Sequence, residues 1–312
     1  MAKERTKLVL KFWDRSKYLS TNNKKYRNYV EKIINEKLKE DKINNDITTN
    51  SLINRNKKIK AFIIAKQNGI IAGIEEVSSF LKTKNIKFKI IKNDVIFVYK
   101  KNIIIEIYGN ARKILSYERT LLNILQRMSG IATLAYSLKI LIKNNCFISG
   151  TRKTLFPLID KKAVSVGGGL THRLNLNDSI LIKDNHLKLL NGNIKKALKL
   201  ANKSNKTKYV EIEVKNEKET LEAAMAIKKI KSKKMFAIMF DNMEASMIKT
   251  IIIKINNILK NKTNDKKIIL FEASGNINEK NILKYSKTGV DVISLGFLTH
   301  SVKAFDMSLE IR

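Results

Sequence analysis

The stretch over residues 150–186 reads GTRKTLFPLIDKKAVSVGGGLTHRLNLNDSILIKDNH. It carries two of the chain's ten arginines, Arg152 and Arg173, two of its three histidines, His172 and His186, and the glycine run Gly167-Gly168-Gly169. Apolar runs at Phe147–Ile148 and Ile180–Ile182 each lead into a polar cluster, Thr151-Arg152-Lys153 after the first and Lys183-Asp184-Asn185-His186 after the second. Strands that end in cationic tips are how barrel enzymes gather side chains at one mouth, because parallel strands bring their carboxyl ends together. The glycines let backbone amides approach a ligand with no side chain in the way. Arginine's planar fork fits carboxylate and phosphate, and lysine adds a compact charge. The stretch predicts an anion-binding active site on a barrel rim.

Downstream the same rhythm continues. Tyr209–Val214 alternates and precedes a helix over Glu217–Lys229; Phe236–Phe240 is tipped by Asp241-Asn242. Ile268–Phe271 leads into Glu272-Ala273-Ser274-Gly275-Asn276 and a helix over Glu279–Ser286, and Val290–Ser294 leads into Leu295-Gly296-Phe297. Strand and helix in alternation imply a parallel sheet closed into a barrel. Ser274-Gly275-Asn276 and Leu295-Gly296-Phe297 follow its last two strands, where barrels bind phosphate on backbone amides. Glu213 and Asp241 are acids in a cationic mouth; they suit Mg²⁺, sugar hydroxyls, a cationic transition state, or ion pairing with Lys183 or Arg173. Glu211, two residues deeper on its strand, reads as a structural partner. His172 and His300 read either as anion contacts or as satisfied core histidines.

Upstream, Tyr26, Val30, Ile33, Ile34 and Leu38 fall at helical spacing, and Asp46-Ile47-Thr48-Thr49 reads as a capped turn. Strands are expected over Ile59–Ala65, Ile91–Tyr99 and Ile103–Tyr108, with a loop and helix over Gly69–Lys82 and one long helix over Ala111–Leu141. Together these form a small α/β domain in which nothing before residue 110 carries evident chemistry. Asn256–Lys267 reads as a lysine-rich helix end and loop.

The 312 residues allow two domains or a barrel with an appendage, and 44% hydrophobic content supports a sizeable core. No run of about 18 apolar residues is present, so no membrane span is expected, and the charged start MAKERTKLVLKFWDR lacks a signal-like apolar core. The single cysteine, Cys146, fits a reducing cytoplasm and reads as a buried, inert thiol. A net charge of +34 invites a nucleic-acid reading. The lysines are spread along the whole chain, however, and accompany abundant isoleucine and asparagine, the trio that AT-rich codons encode. No specific nucleic-acid partner is expected.

The blocks ERTLLNILQRMSGIAT (118–133), GTRKT (150–154), GGGLTHR (167–173), LIKDNH (181–186), VEIEV (210–214), IMFDN (238–242), EASGNIN (272–278) and GVDVISLGFLTHS (289–301), with DITT near residue 46, resemble the nicotinate-nucleotide pyrophosphorylase, or quinolinate phosphoribosyltransferase, family over essentially the whole chain. The resemblance implies a type II phosphoribosyltransferase architecture: an α+β N-terminal sandwich over 1–128, joined by the C-terminal tail 302–312, and an α/β barrel over 129–301. It implies that quinolinate and phosphoribosyl pyrophosphate (PRPP) give nicotinate mononucleotide, CO₂ and pyrophosphate, with Mg²⁺, in NAD biosynthesis. It implies a homodimer with shared sites, possibly assembling further. Arg119 from the partner would join Arg152 and Arg173 on the quinolinate carboxylates, with Lys153, Lys183, His172 and Thr151 in the same pocket. Lys153, Lys183, Glu213 and Asp241 would be the catalytic set, with Glu213 and Asp241 facing ribose and metal. Ser274, Gly275, Asn276, Leu295, Gly296, Phe297 and His300 would take the 5′-phosphate end. After TRKT the sequence continues Leu155-Phe156-Pro157 where the family usually reads TPG, which keeps a molybdenum-associated paralogue with another acceptor as the alternative.

Overall fold

The structure, a computed structural model, describes residues 3–143, 145–260 and 268–312. Its contacts divide the chain into two compact bodies. One comprises Ser16–Ser137, Thr154–Gly168 and Leu298–Arg312; the other comprises Met1–Arg15, Leu138–Lys153 and Gly169–Phe297. Both bodies are discontinuous along the chain. The N-terminal helix belongs with the barrel, and 154–168 does not.

In the first body the helix Lys24–Glu40 buries Tyr26, Val30, Ile34 and Leu38, one side chain per turn, and Asn23 caps its first turn. Asp46 accepts the Thr49 N–H at 2.9 Å and so starts the short helix Ile47–Leu52. Five strands follow: β1 (Lys58–Ala65), β2 (Gly69–Ile70), β3 (Lys87–Ile90), β4 (Phe97–Val98) and β5 (Ile103–Asn110). The strand expected over Ile91–Tyr99 is mostly turn. Asp94 spends its carboxylate on the N–H groups of Ile74 and Glu75, capping the helix Ile74–Thr83, and Val95 takes φ 75°, which no ladder allows. The helix Ala111–Leu141 has the expected bounds. Within it Gly130 is required by contact, because a Cβ there would sit 2.2 Å from the Lys303 carbonyl oxygen. Arg127 forks onto buried Asp160 at 2.8 and 2.7 Å.

Glu76 is buried in this body and accepts the Tyr26 hydroxyl at 2.7 Å, while its second oxygen has no partner among the described residues. Burial first, then the charge of Asp94, pushes its pKa up to about 7. A raised folded-state pKa favours the fold below the ordinary value of 4.5, and that contribution is lost as pH climbs through 7. Glu76→Gln keeps the Tyr26 bond and removes the titration. It is expected to raise the melting temperature at pH 8 and leave it nearly unchanged at pH 5; equal shifts at both would contradict the assignment.

The second body is built on six parallel strands: β6 (Phe147–Ser149), β7 (Ile180–Ile182), β8 (Tyr209–Val214), β9 (Met235–Asp241), β10 (Ile269–Ser274) and β11 (Val292–Ser294). They pair in the order β6-β11-β10-β9-β8-β7. The ladder is thus open between β6 and β7, and not the closed barrel the strand rhythm suggests. On the free edge of β6, Leu170 makes a single bridge to Ser149, with its N–H on Ile148 O at 2.8 Å. Helix 245–260 ends at Lys260, and residues 261–267 of the expected lysine-rich loop lie outside the described residues. The last strand, β12 (Met307–Ile311), belongs to the first body, where the sheet runs β12-β1-β5-β3.

The N-terminal helix Lys3–Trp13 plugs the amino-terminal half of the parallel sheet. Its Val9, Phe12 and Trp13 share a core with Leu170, Ala237, Leu270 and Val292, and Arg5 forks onto Asp291 at 2.6 and 2.7 Å. The opposite ends of the strands are left for chemistry.

Candidate active site

Every strand of the parallel sheet delivers at least one polar group at its carboxyl end. Register sets the levels. Glu213 pairs with Met239, which pairs with Glu272, while Asp241, Ser274, Ser294 and Ser149 form the next level outward. Beyond them stand Thr151, Arg152 and Lys153 after β6, and Lys183 after β7. The rim thus gathers Arg152, Lys153, Arg173, Lys183, Glu213, Asp241 and Ser274 in one body.

Arg152 is exposed, whereas Arg173 is buried and donates to the Ser179 carbonyl at 3.2 Å. Burial first, and the neighbouring Arg152 second, hold the Arg173 pKa below its ordinary value. Two guanidiniums held together in a part-dry place favour an anion between them. Lys183 lays its ammonium on Glu213 Oε1 at 2.9 Å, and its side chain is 45% exposed. A pair so open to water is worth about 0–1 kcal/mol, so a phosphate can displace it at little cost. Asp241 accepts the Asn242 side-chain amide at 2.9 Å. Thr151 Oγ1 accepts the Lys153 N–H at 3.1 Å and shapes the tip.

After Ser274 the chain turns through Gly275 at φ 88° and Asn276 at φ 51°. A Cβ on Gly275 would meet Asn242 Oδ1 at 2.4 Å, so glycine is demanded by both conformation and space. Asparagine tolerates the left-handed region at the next position. Leu295 offers the rim its backbone and not its side chain. It is fully buried, and its N–H continues the ladder onto Ser149 O at 2.9 Å. Gly296 and Phe297 follow it at intermediate exposure.

His172 departs from its expected role as an anion contact. It is buried at φ 54°, its Nδ1 accepts the Arg173 N–H at 2.8 Å, and its Nε2 lies 3.1 Å from Glu272 and 3.3 Å from Glu211. Both ring nitrogens are used inside the protein. Burial opposes charge on the ring, while the neighbouring carboxylates of Glu272 and Glu211 favour it. The Nδ1 bond decides where the proton sits: a nitrogen that accepts carries no hydrogen, so the ring is the neutral Nε2–H tautomer. The extra proton then belongs to the acids, in keeping with Glu211, which burial and Glu272 push up to about 7. Thr171 is buried too; its hydroxyl accepts the Arg15 N–H at 2.8 Å and ties the end of the N-terminal helix to this loop. His186 is a helix cap whose Nδ1 accepts the Lys183 N–H at 2.9 Å.

Arg119 and His300 lie in the other body, both exposed. Among the described residues no intramolecular ion pair engages Arg119. His300 shares a 2.6 Å hydrogen bond with Ser301. Cys146 is buried, and burial and then Asp291 push its thiol up to about 12, well out of the reactive range. No helix among the described residues is long and apolar enough to cross a membrane.

Glu213 and Asp241 join no group of three convergent potential ligands among the described residues. The protein therefore offers a metal at most a carboxylate pair there. That donor set fits Mg²⁺, which keeps water and substrate phosphates as its remaining ligands.

Sequence models of the C-terminal and N-terminal domains of quinolinate phosphoribosyl transferase match residues 131–310 and 46–129. A probable carboxylating nicotinate-nucleotide pyrophosphorylase of Methanocaldococcus jannaschii is 42% identical over 292 residues, spanning 91% of this chain and 98% of that one. The chloroplastic carboxylating nicotinate-nucleotide pyrophosphorylase of Arabidopsis thaliana is 35% identical, over 85% of this chain and 78% of its own. Among solved structures, the nicotinate-nucleotide pyrophosphorylase of Francisella tularensis superposes with a TM-score of 0.77 at 33% identity, covering 92% of this chain and 97% of that one. That of Ehrlichia chaffeensis does so with a TM-score of 0.79 at 32% identity, covering 90% and 98%.

Proposed function

The chain belongs to the quinolinate phosphoribosyltransferase family, and from that premise we propose how its rim divides the work of the reaction. The enzyme transfers the phosphoribosyl group of PRPP to quinolinate, releasing pyrophosphate and CO₂ and leaving nicotinate mononucleotide for NAD synthesis. The observation that carries the division of labour is the gathering of Arg152, Arg173, Lys183, Glu213, Asp241 and Ser274 on the carboxyl ends of one parallel sheet.

Arg152 and Arg173 hold the acceptor's two carboxylates, with Lys153 beside them. The ring nitrogen attacks C1 of the ribose as the C1–oxygen bond to pyrophosphate breaks, and the bonding pair leaves with pyrophosphate. Positive charge builds on the sugar at that moment. A carboxylate such as Glu213 or Asp241 about 4 Å away stabilises it by up to about 4 kcal/mol at an effective dielectric near 20. The bond from C2 to its carboxylate then breaks, CO₂ departs, and the electron pair left on C2 takes a proton from water; the cationic wall offsets the charge in between. Lys183 exchanges Glu213 for a pyrophosphate oxygen. Backbone amides after Ser274 and Leu295 take the 5′-phosphate.

Glu213 and Asp241 would hold Mg²⁺, which when bound neutralises the leaving pyrophosphate. The working enzyme is a homodimer, placed in the cytoplasm, in which Arg119 completes the partner's site. Incubation with quinolinate, PRPP and Mg²⁺ is expected to yield nicotinate mononucleotide and one CO₂ per turnover. Turnover of another pyridine or pyrimidine acceptor, with none of quinolinate at any pH, would overturn the acceptor assignment in favour of the paralogue.

A further inference from the structure

Below the cationic rim lies a second polar cluster that the reaction as described does not use. Glu272 stands at the level of Glu213 in the ladder, and Glu211 two residues deeper on its own strand. Both glutamates are fully buried, and the His172 ring lies between them, its Nε2 3.1 Å from Glu272 Oε2 and 3.3 Å from Glu211 Oε2. Neither oxygen of Glu211, nor Glu272 Oε1, has a hydrogen-bond partner among the described residues.

Two buried acids are an expensive way to stabilise a core, since apolar residues of similar volume do as well or better. Their geometry suits a different task. His172 holds a left-handed backbone at φ 54°, a conformation that disfavours a residue with a Cβ unless its surroundings impose it. Two bonds impose it here. The ring's Nδ1 takes the Arg173 N–H, and its Nε2–H goes to Glu272, with the Glu211 carboxylate 3.3 Å from the same nitrogen. Rotation of the ring would break both and let the backbone before Arg173 relax. We propose that Glu211 and Glu272 are a positioning pair for acceptor recognition, holding the His172 ring so that the Arg173 guanidinium meets the acceptor's carboxylate at a fixed angle.

The same three residues converge as a cation cage would, with ligand atoms within 4.8 Å of one another. The tautomer argues against a metal: an Nε2 that carries hydrogen has no lone pair to give. The ring is a donor to the acids, and the cluster is a clamp.

The proposal rests on the reading of Arg173 as an acceptor ligand, so Arg173→Ala is assayed in parallel. Glu272→Leu removes the acceptor of the Nε2–H and is expected to raise KM for quinolinate about tenfold, with KM for PRPP within about twofold of the parent. Glu272→Gln keeps an oxygen for the ring and is expected to stay within about threefold on both. Should Arg173→Ala raise the quinolinate KM while Glu272→Leu leaves it alone, the clamp is wrong and the Arg173 reading stands. An unchanged quinolinate KM in Arg173→Ala removes the reading and the clamp together. Parallel rises in both KM values, or a lowered melting temperature alone, would make the pair merely structural. Two-bond ¹H–¹⁵N spectra of the wild-type enzyme supply a readout independent of any variant's folding. The neutral Nε2–H tautomer of His172 is expected, and an imidazolium, or a stoichiometric divalent ion by elemental analysis that Glu272→Gln removes, overturns the proposal.

Discussion

Arg173→Ala is expected to lower kcat/KM for quinolinate about 10²-fold or more while leaving KM for PRPP nearly unchanged. Truncating one side of a desolvated charge pair costs about 2–5 kcal/mol, because the partner charge is left in a dry place without an answer. Arg173 meets that condition: it is buried, and the dianionic acceptor would be its main counter-charge. The Arg152–Arg173 pair is under electrostatic tension, since burial and Arg152 both disfavour the charged Arg173 guanidinium. Removing the tension should not harm the fold. Arg152→Ala, at an exposed position, is expected to leave the melting temperature unchanged or slightly raised while it too weakens quinolinate binding. Arg173→Lys keeps the charge but loses the fork, and should fall between alanine and wild type. Measured KM values for each substrate decide the matter. A quinolinate KM within about twofold of wild type in Arg173→Ala would remove the residue from the acceptor site.

The site was legible in the sequence where chemistry and periodicity coincide. A short apolar run followed by Thr-Arg-Lys or Lys-Asp-Asn announces a strand and its tip together, and β6 and β7 lie where those runs are. Legibility failed where a polar residue serves the interior. Glu272 reads as the start of a loop, yet β10 continues through Ser274 and carries Glu272 inside; alternation of Leu270, Glu272 and Ser274 was the available signal. The N-terminal helix was hidden by its lysines, which surround just enough apolar surface at Leu8, Val9, Phe12 and Trp13 to pack under the parallel sheet. Asp94 ended a strand by capping a helix twenty residues earlier, a contact that no local pattern encodes. His172 looked like a ligand because it follows a glycine run and precedes an arginine; only the fold shows that its ring points to two acids.

Mixing Arg119→Ala with Lys183→Ala subunits is expected to restore about a quarter of wild-type activity from two preparations that are each nearly inactive. The expectation follows from symmetry. If each site takes Lys183 from its own chain and Arg119 from the partner, a mixed dimer holds one intact site and one that lacks both groups. Random exchange makes about half the dimers mixed, hence about a quarter of all sites intact. The two positions suit the experiment because each change should spare the fold. Arg119 is exposed with no intramolecular ion pair among the described residues, and the Lys183–Glu213 pair is open enough to water to add little stability. Subunit exchange must be shown separately, by mass-labelled subunits or by refolding the mixture. With exchange demonstrated, activity that stays at the level of the single variants would mean that Arg119 serves its own chain or none, and the shared site would be abandoned.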